Sequence, residues 1–162
     1  MHAIIHYGLD RIAIIDFDVH NGNGTIDIFK DDERVMVCSS FQHPHYPNSH
    51  YDTPGEHLIL TPLHAGSSGS HFRTKVEHDF FDPLDSFKPQ LILISAGFDA
   101  HTEDPMGDLN LVEDDYRWIT KMINDVANRH SKSRIVSMLE GGYDLHALGR
   151  SVCAHIEIML YD

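Results

Sequence analysis

The sequence predicts an α/β protein, a parallel sheet flanked by helices, and three observations predict it. Short apolar runs alternate along the chain with longer segments of helical period. The run Leu91-Ile92-Leu93-Ile94 is apolar without alternation, as in a parallel strand buried on both faces. Polar, glycine-rich clusters follow the apolar runs, at the edge where open parallel sheets bind ligands.

The elements follow in order. Strands are expected at Ile12–Ile15, Arg34–Val37, Leu58–Leu60, Leu91–Ile94 and Ile135–Leu139. A helix is expected over Phe72–Phe81, ending before Pro83, which lacks an amide donor. Tyr116, Ile119, Ile123, Val126 and Ala127 form an apolar stripe spaced near 3.6 residues, and so do Leu145, Leu148, Val152, Ile156 and Met159. Phe41–Gly55 and Gly97–Leu111 read as long loops, a length often tied to function. The strand at Ile12 begins almost at once and is fully buried in character, so it needs neighbours on both sides. The expectation is one domain, residues 1–162, entered partway through with its N-terminal part missing.

Bulk composition narrows the function. The net charge of −13 argues against nucleic-acid binding, which needs a basic footprint, and favours solubility and cationic partners. No apolar run approaches the roughly 20 residues of a membrane span. The first residues lack the basic and apolar regions of a signal peptide, which is compatible with a cytoplasmic protein. Cys38 and Cys153 sit in apolar runs and read as buried free thiols. Fourteen histidines are an excess, so a metal site must be argued from spacing.

Each strand end carries chemistry. After Ile12–Ile15 comes Asp16-Phe17-Asp18-Val19-His20; after Arg34–Val37 come Ser39 and Ser40. After Leu91–Ile94 comes Ser95-Ala96-Gly97-Phe98-Asp99, and after Ile135–Leu139 comes Glu140-Gly141-Gly142-Tyr143. Asp18 and His20, two apart in an extended segment, would leave one face, and Asp99 can join them from another strand end. One imidazole and two carboxylates suit Zn2+ or Fe2+ and leave a coordination position open. Taken alone, the first segment reads as readily as turn caps beside a packed histidine. The second strand-end aspartate and the glycines that follow shift the balance to a metal. Gly22-Asn23-Gly24-Thr25 permits positive φ and close backbone approach, or is a plain turn. Gly141 and Gly142 permit a bend that aims the Tyr143 hydroxyl at a site, or that leaves Tyr143 on a rim.

These residues resemble a known family, the histone deacetylase superfamily, especially its class II and bacterial acetylpolyamine amidohydrolase-like members. The resemblance rests on Asp16 to Thr25, on Ser95 to His101 with Asp104-Pro105-Met106-Gly107, on Glu140 to Tyr143, and on Tyr46-Pro47. It implies an arginase/deacetylase-like three-layer fold and hydrolysis of the acetyl amide of acetyl-lysine or acetylpolyamines. It implies zinc on Asp18, His20 and Asp99, with Tyr143 as hydrogen-bond donor to the transition state. It implies a structural potassium site at Asp16, Asp18, His20, Ser39 and Ser40, a second monovalent site near Phe29 and Val35, and walls or supports from Asn23, Gly22, Tyr46, Pro47, Phe98, Gly141 and Gly142. The family also places two adjacent histidines upstream of the first motif, as general base and acid. No two histidines are adjacent in these 162 residues, and Asn21 stands where the family usually has histidine. Three readings therefore stand: an impaired deacetylase; a truncated homologue that binds metal, a second copy or a complementing N-terminal fragment; and an arginase-type ureohydrolase. The last ranks low because no aspartate lies two residues after His20.

Overall fold

The computed structural model describes residues 1–161. Five strands form one sheet: β1 (Ile12–Asp16), β2 (Val35–Gln42), β3 (Leu58–Leu63), β4 (Leu91–Ala96) and β5 (Ile135–Leu139). Their order is β3-β2-β1-β4-β5, and every pairing is parallel. The helices are α1 (His2–Tyr7), α2 (Asn23–Phe29), α3 (Gly69–Phe87), α4 (Glu113–Val126) and α5 (Leu145–Tyr161), with a π-helical turn at Ala127–Ser131 extending α4. None is long and apolar enough to cross a membrane.

The sheet separates two apolar layers. On one face Ala13, Ile15, Met36, Cys38, Ile92 and Ile94 pack against Phe72, Val76 and Phe80 of α3 and Tyr116, Ile119 and Ile123 of α4. On the other, Ile14, Val35, Val37 and Leu58 pack against Ile26 and Phe29 of α2 and Ile4 of α1. Helices on both faces confirm the three-layer expectation. β1 lies at the centre with all five residues buried, which explains its unbroken apolar run. The chain steps from β1 outward through β2 to β3, then returns to the far side of β1 as β4. The reversal makes a switch point between the carboxyl ends of β1 and β4, where open α/β sheets leave a crevice.

Several boundaries differ from expectation. β2 starts at Val35 and runs to Gln42, so Ser39 and Ser40 lie inside a strand and the loop starts at His43. Likewise Asp16 and Ser95 are strand residues, and β3 continues to Leu63. Polar side chains at the ends of buried strands are held by ladder pairing, which a hydrophobicity reading cannot see. α3 passes through Pro83 to Phe87 because Leu84 beyond the proline is fully buried; packing outweighs the one lost amide bond. Gly22-Asn23-Gly24-Thr25 opens α2 rather than forming a turn, and α1 precedes the first strand. Cys38 is buried as expected, but Cys153 is exposed on α5.

Candidate metal centre at the switch point

β1 and β4 are paired in register, with Asp16 beside Ser95, so the segments that leave them run side by side. The β1 segment turns at once instead of staying extended. The Asp18 amide donates to Asp16 Oδ1 (3.1 Å) and the His20 amide donates to Asp18 Oδ1 (2.8 Å). From β4, Asp99 is fully buried and its Oδ1 accepts the Val19 amide (2.8 Å). The result is convergence. His20 Nδ1 lies 2.9 Å from Asp18 Oδ1 and 3.2 Å from Asp99 Oδ2. Ligand atoms of all three residues fall within 4.8 Å of one another.

The donor set fits a divalent ion. Two carboxylate oxygens and an imidazole nitrogen face one point, and Asp99 Oδ2 is buried without a properly directed hydrogen bond, despite the nearby ring nitrogen. Without a cation, burial first and the Asp18 charge second push the Asp99 carboxyl up to about 7. Concentrating carboxylates in a buried cleft is costly unless a positive charge offsets them. Mixed N/O donors with room for a further ligand suit zinc or iron(II).

Glycines allow the crowding. A Cβ on Gly141 would stand 2.6 Å from Asp99 Cγ and 2.7 Å from Asp18 Oδ2. The Gly141 amide donates to that same Asp18 oxygen (2.9 Å). A Cβ on Gly97 would meet the Asp18 backbone at 2.5 Å, and one on Gly22 would strike the Asp16 carboxylate. Close approach, not positive φ, is what Gly22 and Gly141 provide; of the glycines around the site, Gly142 has a left-handed φ, at 144°.

Tyr143 follows this bend but is 55% exposed at the rim. Partial burial, then the carboxylates of Asp99 and Asp18, raise its phenol pKa above the ordinary value. Its amide and that of Asp144 both donate to Asp104 Oδ2 (2.6 and 3.0 Å), while Asp104 Oδ1 accepts the Met106 amide. Asp104 therefore ties the tyrosine loop to the loop after β4. Tyr46 is exposed, its ring 6.0 Å edge-on from His20, and its peptide bond to Pro47 is cis. Phe98 is buried against Phe17 and Tyr116, below the ligands rather than on the surface. Asn23 is exposed at the start of α2.

The expected potassium residues also gather. Asp16 and Ser39 are register neighbours on β1 and β2, Ser40 follows, and all three are buried. Burial pushes the Asp16 carboxyl well up, with the Asp18 charge adding to the effect, and Ser39 Oγ has no hydrogen-bond partner. The Phe29 end of α2 and Val35 of β2 pack in the second core layer.

Four residues are given a place by the structure that spacing did not reveal. His45 stacks on His20 at 5.2 Å and bonds to the Met106 carbonyl through Nε2. Asn21 is buried and donates to the Ser49 carbonyl (2.7 Å), with Oδ1 unpartnered. Asp104 acts as described above. Tyr116 donates to the Phe98 carbonyl (3.2 Å), one residue before Asp99, and reads in sequence as core alone. For His45 and Asp104 the signal in the sequence was the density of His, Pro and Asp in the two long loops.

The histone deacetylase domain model matches residues 1–159. The chain belongs to the histone deacetylase family. It is 36% identical over 178 aligned residues to the type-2 histone deacetylase 2 of Dictyostelium discoideum, covering 99% of this chain and 10% of that protein. It is 33% identical to the polyamine deacetylase HDAC10 of Mus musculus, over 99% of this chain and 25% of the relative. The crystal structure of the HDA15 HD domain superposes with a TM-score of 0.88 at 29% identity, over 95% of this chain and 45% of that one. The chain thus spans less than half the length of these family members. The parallel sheet with flanking helices is the fold they share.

Proposed function

We propose that the chain carries the zinc-binding part of a deacetylase that acts on acetyl-lysine or acetylpolyamines, and that alone it turns over slowly. The observation that carries this reading is the convergence of Asp18, His20 and Asp99 at the β1–β4 switch point. These three residues would hold Zn2+, with Fe2+ as the alternative that the same donors accept. When bound, the ion supplies Lewis acidity toward a substrate carbonyl. Tyr143 supplies the protein's own contribution. Its phenol is protonated at neutral pH, as any tyrosine's is, and can donate to the carbonyl oxygen as charge develops there. Tyr46, Pro47 and His45 wall one side of the approach, and Phe98 supports Asp99 from the core beneath it. Gly22 and Gly141 give the backbone its close approach, Gly142 gives the bend its left-handed φ, and Asn23 stands at the α2 end. Asp16, Ser39 and Ser40, with carbonyls of Asp18 and His20, would hold a structural K+ that offsets the buried charge.

The slow turnover follows from proton transfer. The resemblance assigns general base and acid to two adjacent histidines, and these residues include no such pair. Losing a positioned base or acid typically costs about 10²–10⁴-fold each. Substrate class is supported by the net charge of −13, which draws cationic amines, and by the polyamine deacetylase among the relatives. Two unpaired cysteines suit a reducing compartment, so we place the protein in the cytoplasm. The test is hydrolysis of an acetyl-lysine peptide and an acetylpolyamine by zinc-loaded protein. Slow turnover that drops further in Tyr143→Phe, with metal content unchanged, supports the proposal. Turnover at an ordinary enzymatic rate, or turnover indifferent to Tyr143→Phe, contradicts it.

A further inference from the structure

The loop after β4 is pinned from two sides, and the pins meet at one turn, residues 104–108. On one side buried Asp104 holds the tyrosine loop: its Oδ2 accepts the Tyr143 and Asp144 amides (2.6 and 3.0 Å). Its Oδ1 accepts the Met106 amide (3.0 Å), which keeps the carboxylate from turning away. On the other side the turn is held by the segment that leaves β2. His45 Nε2 lies 3.0 Å from the Met106 carbonyl. A carbonyl only accepts, so Nε2 carries the proton and donates. Buried Gln42 adds a reciprocal pair: its Nε2 donates to Asp108 Oδ2 (3.0 Å), and its Oε1 accepts the Asp108 amide (2.7 Å).

We propose that His45 is a positioning residue for Tyr143, acting through Met106 and Asp104. The route is unbroken: His45 holds the Met106 carbonyl, the Met106 amide holds the Asp104 carboxylate, and that carboxylate holds the backbone of Tyr143. The His45 ring meanwhile stacks on the ring of His20, with 5.2 Å between centroids and 24° between planes. One side chain thus touches a metal ligand with its face and the support of the tyrosine with its nitrogen. The inference rests on the proposed role of Tyr143 as hydrogen-bond donor.

The rest of the turn is fixed as well, which lets a single hydrogen bond matter. A Cβ on Gly107 would stand 2.5 Å from Val19 Cγ2, so the turn lies flush on the residue between Asp18 and His20. Gln42 holds its far end at Asp108. Between these two contacts the Met106 carbonyl is held by His45. Placement counts here because a donor to a developing oxyanion works only within about 2.7–3.1 Å of it. A misplacement of about 1 Å can cost about 10²-fold in rate.

Two substitutions separate the donor from the ring. His45→Phe keeps an aromatic ring beside His20 and loses the donor, whereas His45→Gln keeps a donor of similar reach and loses the ring. Amide hydrogen exchange followed by NMR reads the geometry of the chain without substrate. In His45→Phe the Tyr143 and Asp144 amides should exchange roughly five- to tenfold faster, the weight of one hydrogen bond. The Glu140 amide, bonded to the Ala96 carbonyl (3.0 Å), should not change. His45→Gln should keep wild-type exchange at all three. In the zinc-loaded chain His45→Phe should lower kcat about tenfold with KM within about twofold, and should add nothing further in an Asp104→Ala background. Unchanged exchange at Tyr143 in His45→Phe overturns the proposal. So does faster exchange at Glu140 too, equal acceleration in His45→Gln, or an unchanged kcat beside altered exchange. The expected exchange pattern in a chain with no deacetylation at all supports the route from His45 to Tyr143 and contradicts the deacetylase reading.

Discussion

Adding one methyl group at Gly141 should weaken metal binding at least a hundredfold. The Cβ of Gly141→Ala would stand 2.6 Å from Asp99 Cγ and closer still to Asp99 Oδ2, where an ordinary contact needs at least 3.4 Å, so the carboxylate must retreat by at least about 0.8 Å. Metal–ligand distances tolerate about ±0.2 Å, roughly a quarter of that displacement. The carboxylate cannot slide freely, because its Oδ1 is held by the Val19 amide and the residue is fully buried. The same methyl presses on Asp18 Oδ2, so two of three ligands move together. Overpacking of this kind costs about 1–3 kcal/mol of stability. Gly149→Ala is the control: nothing lies within 4 Å of its Cβ, and it sits in α5, where the change should stabilise by about 1 kcal/mol. Calorimetric titration of the stripped protein with zinc reads the outcome. Gly141→Ala should bind at least a hundredfold more weakly, and Gly149→Ala should bind normally and melt higher. Zinc affinity within a few-fold of wild type in Gly141→Ala would refute the crowding argument.

Other expectations are as direct. His155 is buried and neutral, its pKa lowered by burial to about 4 against an ordinary 6.5. Below pH 6.5 the unfolded chain takes up a proton that the folded chain refuses, so stability falls as pH drops toward 4. The loss from this residue should be about 2 kcal/mol at pH 5, and urea unfolding at pH 7 and 5 should show His155→Gln free of that part of the slope. Asp104→Ala removes the acceptor for the Tyr143 and Asp144 amides and should cost about 2 kcal/mol of stability while sparing zinc binding; deacetylation by the zinc-loaded variant should fall with little change in KM. Removal of metal with a chelator should lower Tm, since saturation at a hundred times Kd contributes about 2.7 kcal/mol.

The parts of the fold legible in the sequence were those fixed by local pattern. Leu91–Ile94 announced a parallel strand, though Leu91 and Leu93 on one of its faces are only half-buried, and the stripes through Tyr116 and Leu148 announced the helices over it. Ile135–Leu139 was placed to the residue. Ends of elements were not legible where tertiary packing set them. Leu84 buried beyond Pro83 carries α3 onward against its proline, and ladder pairing extends β2 through two serines. The candidate site was legible because its ligands sit at fixed short offsets from strands whose register then aligns them. His45 and Asp104 were not, because each acts across a long loop, and only three-dimensional closure brings them to His20 and Tyr143. The exposure of Cys153 was hidden for a related reason: an apolar run in a helix does not say which turn faces solvent.

Zinc stoichiometry of the purified chain, beside that of Asp99→Asn, tests the central claim most directly. One equivalent of zinc per chain, lost in the variant while its circular dichroism spectrum stays unchanged, is the expected result. A wild-type chain that takes up no zinc, or an Asp99→Asn chain that retains a full equivalent, would contradict the account.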